Sequence, residues 1–211
     1  MADDLPYYET LFGVYIDDWT WSYGGFFLNT KYILTKEYLN EGCYTSSSTS
    51  IATGANIISF LYPHWIKKQC YIEGVVEGQI TLACDGDDGV LTSYTIRLMK
   101  IDSVGVIEEL GTTGVITPTN TTLSWDVGTS TGEEIVYPFY ITISPEKKLL
   151  DKERIYVEVT IVAADNNLVL YHSNDSTWED IKISIPFRGL WVINMQTEKQ
   201  KKNMEKIIGR I

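Results

Sequence analysis

The sequence has few of the residues that carry most enzyme chemistry. It contains two histidines and three cysteines in 211 residues. No serine lies in a G-x-S-x-G turn, and there is no glycine-rich phosphate loop. His64 and His172 are too few for most metal or triad sites, so neither is given a ligand or catalytic role. These absences predict that the chain is not an enzyme and that it binds no cofactor.

Signals for export and for membranes are also missing. Cys43, Cys70 and Cys84 are odd in number, and their spacing fits no common zinc or disulfide framework, so we expect simple thiols. The start of the chain, residues 1–6, is acidic and lacks the basic first part and apolar core of a signal peptide. No apolar run approaches the roughly 18 residues that cross a bilayer. The sequence therefore predicts a protein of the reducing cytoplasm without a membrane partner.

Basic residues are outnumbered, with 17 lysines and arginines against 28 acidic residues and a formal net charge of −11. A body of this charge repels nucleic acid, so a nucleic-acid partner is not expected. Residues 198–210 differ from the rest of the chain in their net positive charge, with five cationic side chains and two acidic ones.

What the sequence does contain is a series of short runs in which apolar and polar residues alternate, as in 80–84, 135–143, 155–161 and 181–185. Successive side chains on a strand point to opposite faces, so each run has one apolar face. Several such strands bury these faces by packing sheet on sheet. The pattern predicts a mainly β protein: a two-sheet antiparallel β-sandwich, jelly-roll-like, over residues 71–188. The candidate strands lie near 71–84, 93–101, 105–110, 121–127, 134–143, 153–162, 167–172 and 180–187.

Two features refine this prediction. Pro138 lies inside a strand run, which favours an edge position or a bulge because proline cannot donate to the ladder. Asp85, Asp87 and Asp88 form an acidic turn and are the best candidate for a calcium site. A solvated hairpin turn is the favoured interpretation, because no glutamate follows at the required distance and the flanks are predicted strands. No metal site is therefore predicted.

Residues 1–70 are predicted to form an N-terminal arm. They hold 15 of the 26 aromatic residues and follow no clean period. Rings at this density need a surface on which to be buried. Two interpretations remain open: the segment adds strands to the same core, or it lies across a neighbouring subunit. In the second, partner binding is assigned to Trp19, Trp21, Phe26 and Phe27.

Residues 189–211 are predicted to form a short amphipathic helix. One stripe of this helix carries Met204, Ile207, Ile208 and Ile211. A lone helix of this length is marginal in water and needs a surface for its stripe. Packing on its own domain and docking on a partner chain are both open. For the second, the same four residues are candidate partner-binding residues.

An aromatic irregular arm, an acidic sandwich and a terminal helix together resemble the virion proteins of bacteriophages. The segments 137–143 and 185–187 are similar in style to phage head, neck and tail accessory proteins, although no motif matches. The resemblance implies a non-enzymatic structural component of a phage particle, such as a head decoration, a connector or a tail protein. Its partners would be other virion proteins and copies of itself, and it would be assembled in the host cytoplasm.

Two other functions are alternatives to a role in a phage particle. The first is a carbohydrate-binding module that recognises host surface glycans, with Trp125 and Trp178 as candidates for stacking on sugar rings. The second is an intracellular hydrolase, which is the least favoured because no catalytic constellation is visible. Paired carboxylates for sugar hydrolysis are defined in space rather than in sequence. The carboxylate pairs at 108–109, 133–134 and 179–180 fall near predicted strand ends, where charge mainly keeps edges soluble.

Overall fold

The structure is a computed structural model, and the residues it describes are almost all in β-strands. Backbone is described for residues 7–15, 21–23, 26–30, 32–35, 48–51, 56–62, 66, 69–84, 86–119, 121–128, 131–164, 168–172 and 181–188. The predicted C-terminal helix, with Met204, Ile207, Ile208 and Ile211, lies outside these residues, as does Trp19. The mainly β fold is confirmed.

The strands are β1 (Tyr7–Tyr15), β2 (Trp21–Tyr23), β3 (Phe26–Thr30), β4 (Tyr32–Thr35), β5 (Ser48–Ile51), β6 (Asn56–Leu61), β7 (Cys70–Cys84), β8 (Gly89–Ile101), β9 (Ile107–Thr112), β10 (Thr122–Leu123), β11 (Trp125–Asp126), β12 (Thr131–Gly132), β13 (Ile135–Leu149), β14 (Arg154–Ala164), β15 (Leu168–Tyr171) and β16 (Lys182–Arg188).

Two antiparallel sheets form the sandwich, as the alternating runs predicted. The first sheet has the order β10–β8–β14–β6, and β9 also pairs with β8. In the second sheet β4, β1, β16 and β7 follow one another. β16 and β15 pair with successive parts of one edge of β7, and β5 pairs with β15. β13 pairs with the other edge of β7. The sheets join where β4 and β6 meet in parallel at one position, Ile33 opposite Leu61. The small hairpins β2–β3 and β11–β12 are separate from both sheets.

The alternation along each strand decides which side chains enter the core. On β13, Tyr137, Phe139, Ile141 and Ile143 are buried, while the residues between them are exposed. β14 buries Ile155, Val157, Val159 and Ile161 on its inner face, while Tyr156 on its other face is buried in a second, smaller cluster. Among the described strands β13 pairs only with β7, so Pro138 lies on an edge strand, as predicted. A register shift on β13 falls between Ile143 and Lys147 rather than at Pro138.

Four strands of the first 70 residues, β1, β4, β5 and β6, belong to the sandwich. β1 pairs with β16 in a register that places Tyr7 opposite Phe187 and Leu11 opposite Ile183. β6 pairs with β14, with Phe60 opposite Val157. Leu11, Leu34 and Phe60 are all buried in the main core. These strands follow the first interpretation of the segment, in which it adds to the core. Trp21 lies in β2, and Phe26 and Phe27 lie in β3; their side chains are outside the described residues.

The two sheets approach closely at Gly13 on β1. A Cβ atom at this position would overlap Cγ2 of Ile181 and would lie 2.7 Å from Cε1 of Phe60 on the opposite sheet. The Gly13 N–H also donates to the carbonyl of Ile181 at 3.0 Å. Glycine is therefore required here by the space between the layers.

We expect Gly13→Val to lower the free energy of unfolding by about 1–3 kcal/mol, because the added methyl groups must push Phe60 or Ile181 out of place. Urea unfolding monitored by tryptophan fluorescence gives this quantity. Tyr8→Val, on the same strand but half exposed on its outward face, serves as the control and should change it by less than about 1 kcal/mol. Equal stability of Gly13→Val and wild type would show that the layers are farther apart than described.

Candidate functional site

The inner faces of the strands change from apolar to charged at one end of the sandwich. On β8, Ile96 and Leu98 are core residues, and the next inward position is Lys100. On β14, Ile155 begins the apolar row, and the preceding inward position is Glu153, which is 6% exposed. Burying either charge alone is unfavourable, so the two are placed where they neutralise one another.

Lys100 is the centre of this group. Its Nζ lies 3.1 Å from Oε1 of Glu153 and 3.1 Å from Oε2 of Glu108 on β9, and it donates to the carbonyl of Lys148 at 3.3 Å. The second carboxylate oxygen of Glu153 accepts the N–H of Leu150 at 2.7 Å. Burial acts to lower the pKa of Lys100, but the hydrogen bonds to Glu153 and Glu108 outweigh it. The pKa of Lys100 is therefore raised, and its ammonium stays charged.

The start of β7 adds a thiol to the same end. Cys70 is fully buried, and burial together with the negative charge of Glu153 raises its pKa to about 12. A cysteine attacks as the thiolate, and a thiol with this pKa is almost entirely protonated at pH 7. Cys70 is thus unsuited to act as a nucleophile.

A second buried carboxylate, Glu9, lies at this end of the second sheet. It is 6% exposed, although Tyr7 two residues before it is about half exposed. The pKa of Tyr7 is raised by three effects: first the negative charge of Glu9, then burial, and then the hydrogen bond between the two side chains. Burial and then the charge of Glu9 also raise the pKa of Tyr62. We call Cys70, Lys100, Glu108 and Glu153 the end cluster.

His172 follows directly after β15 and is fully buried. Its ring meets those of Tyr32 and Phe60 edge-on, at centroid distances of 5.3 and 6.4 Å. Burial lowers its pKa to about 4, so the imidazole is neutral at pH 7. A general base works best when its pKa is close to the working pH. A buried imidazole with this pKa is a poor base for substrates in solution.

The ion pairs of the end cluster hold strand ends together. They join Lys100 on β8 to Glu108 on β9 and to Glu153, which directly precedes β14. Among the described residues, no three His, Cys, Asp or Glu side chains converge as metal ligands would. The described part of the chain likewise contains no helix of the length and apolarity that a bilayer crossing needs.

The other residues singled out in the sequence are separate from this cluster. Asp87 and Asp88 are exposed in the turn between β7 and β8. Oδ1 of Asp88 accepts the N–H of Trp125 at 2.6 Å, so this carboxylate organises the turn around β11. Trp125 packs partly buried against the core. Asp85 and Trp178 lie outside the described residues.

Sequence reasoning did not single out Glu9, Lys100 or Glu153. The sequence did carry a signal for two of them. Lys100 continues the inward row formed by Ile96 and Leu98 on β8. Glu153 comes just before the inward row that begins with Ile155 on β14. A charge in the register of a core row indicates a buried ion pair or a strand end. Nothing in the sequence indicates that the two charges meet, because 53 residues separate them.

No protein family matches the sequence, and no curated protein matches it. Solved structures of hydrolases share its fold. A CocE/NonD family hydrolase from Staphylococcus aureus, in two structures, superposes with TM-scores of 0.52 and 0.56 at 11% and 14% identity, over 84% and 88% of this chain. An alpha-amino acid ester hydrolase superposes with a TM-score of 0.54 at 8% identity, over 85% of this chain. The chain covers only 36–37% of the length of these hydrolases.

These matches contradict two predictions: that the chain is a non-enzymatic structural component of a phage particle, and that it is not an enzyme. The carbohydrate-binding alternative gains no support from them either. The error has a physical reason, since alternating strands specify a sandwich and sandwiches carry many unrelated functions. The resemblance to virion proteins, the predicted partners and the predicted location are not addressed by these structures and stay predictions.

Proposed function

We propose that the chain acts in the hydrolysis of an ester bond, as the β-sandwich part of a hydrolase. The observation that carries this proposal is the superposition, above a TM-score of 0.5, of more than four fifths of the chain on hydrolases. In those proteins almost two thirds of the chain lies outside the superposed part. That proportion leaves room for a catalytic part beside the sandwich.

The side chains of the described residues support a division of labour. Burial makes Cys70 a poor nucleophile and His172 a poor base. We therefore place the nucleophile and the base of the reaction outside these residues. The role of the sandwich is to hold its own strand ends rigidly through the end cluster, so that loops at its ends present a fixed surface to the catalytic part.

The test is to purify the tagged protein from its native cells and to assay the eluate. Substrates are p-nitrophenyl acetate and an α-amino acid methyl ester, and a fluorophosphonate probe labels any activated serine. We expect ester hydrolysis in the eluate and a labelled band, either on this polypeptide or on one bound to it. Intact mass and the position of the labelled band identify which polypeptide carries the nucleophile.

Val157→Asp is the matched control, because Val157 is fully buried in β14 and a charge there unfolds the sandwich. Activity that follows the wild type and disappears with this variant supports the proposal. An eluate of folded wild-type protein that hydrolyses neither ester and carries no labelled band contradicts it.

A further inference from the structure

β13 has an edge that no other described strand covers. One edge pairs with β7 from Ile135 to Leu149. Two large apolar side chains are exposed on the outward face of β13: Tyr140 is 62% exposed and Val136 is 36% exposed. Pro138 is exposed between them. An edge strand carries a row of backbone donors and acceptors, and such a row is a template for pairing with another chain.

The charges on β13 are arranged so that an antiparallel copy of the strand would match them. Glu133 and Glu134 precede the strand and are exposed, whereas Lys147 and Lys148 lie near its end, where with Glu146 they leave a net positive charge. In an antiparallel pair the start of one strand lies beside the end of the other. Two copies of β13 paired in this way bring the acidic start of each copy to the basic end of the other.

The register of this pairing follows from the irregularity on β13. Ile143 lies opposite Gly74, and Lys147 lies opposite Ile72, so β13 contains two more residues than β7 over this stretch. Lys148 therefore occupies the position that residue 146 would take in a regular strand. A two-fold axis through Tyr140 places residue 134 of one copy opposite that position in the other. Glu134 then faces Lys148 of the second copy, and both lie on the outward face.

We propose that β13 pairs with β13 of a second copy of this chain about a two-fold axis at Tyr140. The two Tyr140 rings meet at the axis, and an ion pair between Glu134 and Lys148 closes each end. Pairing uses the β13 edge of each copy, and a two-fold contact of this kind closes on itself as a dimer. The proposal does not depend on the hydrolase function.

The dimer is expected to be weak. Pro138 and Pro145 remove backbone donors, and a single pair of strands buries less than the roughly 1,600 Å² of a standard interface. We expect a dissociation constant in the range of ~1–100 μM. The dimer therefore forms at concentrations accessible to sedimentation experiments and dissociates on dilution.

The experiment is sedimentation velocity of the full chain over three decades of concentration. We expect a concentration-dependent dimer that Glu134→Lys and Lys148→Glu each weaken about tenfold, because each change places two like-charged pairs in the interface. Tyr140→Glu should abolish the dimer. Asp87→Lys, in the exposed turn between β7 and β8, is the control and should leave it unchanged. Thermal unfolding checks that every variant is folded.

The decisive experiment mixes the two charge variants, Glu134→Lys and Lys148→Glu. In a heterodimer of Glu134→Lys with Lys148→Glu, both ends again carry opposite charges, so the mixture should dimerise better than either variant alone. The double variant E134K/K148E should likewise recover the homodimer. A chain that stays monomeric at every concentration overturns the proposal. So does a dimer that is insensitive to Tyr140→Glu, or a mixture that shows no gain over its components.

Discussion

Replacing Glu153 by alanine is expected to lower the free energy of unfolding by about 3 kcal/mol, close to the effect of removing one partner from a buried ion pair. The carboxylate is 6% exposed and holds both the Lys100 ammonium and the Leu150 N–H. Without it, the ammonium keeps only Glu108 as a charged partner among the described residues, and the N–H of Leu150 loses its acceptor. Urea unfolding at pH 7 measures the change.

Glu108→Ala is the matched control for this prediction. Glu108 lies at the same distance from the same ammonium, but its side chain is 53% exposed. Exposed ion pairs contribute little, so we expect a loss below about 1 kcal/mol. If the two variants lose the same free energy of unfolding, burial does not distinguish the two carboxylates. The buried pair of Lys100 and Glu153 would then contribute no more than the exposed pair of Lys100 and Glu108.

The double variant Lys100→Met with Glu153→Gln separates charge from packing. It removes both charges together, so it should be more stable than Glu153→Ala alone. A double variant that is less stable than either single change would mean that the charges themselves, rather than their mutual neutralisation, hold this end of the sandwich.

Acidification is expected to destabilise the fold through His172 by up to about 3 kcal/mol between pH 7 and pH 4. The pKa of His172 is about 4 in the folded protein, against 6.5 as the ordinary value. Between these two values the unfolded chain binds a proton and the folded chain does not. Stability is therefore full above pH 6.5 and falls as the pH approaches 4. The cause is burial, which disfavours the imidazolium among the rings of Tyr32 and Phe60.

His172→Phe tests this expectation, because phenylalanine keeps an aromatic ring at this position and does not titrate. Unfolding free energies of the variant and the wild type are measured by urea denaturation at pH 4.5, 5.5 and 7. Carboxylates contribute equally to both proteins, so the difference between the two curves reports His172. The difference should change steadily with pH below 6.5. Parallel curves would show that His172 is accessible to protons in the folded state.

Local pattern was sufficient to predict most strands after residue 70 but not their neighbours, and it did not locate β1, β4, β5 or β6. The inward rows of β13 and β14 and the edge position of Pro138 are readable because side-chain direction has a period of two. The pairing of β1 with β16 is not readable, since Tyr7 and Phe187 are brought together only by the whole chain. The same limit applies to the end cluster. Lys100 and Glu153 each break an apolar row, yet their meeting depends on the register of β8 against β14.

The pairing of β1 with β16 also sets a condition on folding during synthesis. β1 is made early, but the strand that pairs with one of its edges is complete only at Arg188. Until then β1 exposes an edge, and Leu11 has no Ile183 beside it. Closing so long a loop is entropically unfavourable and slow. The second sheet can therefore be finished only after β16 has been synthesised, and β1 must stay unpaired on that edge throughout the synthesis of the strands between them.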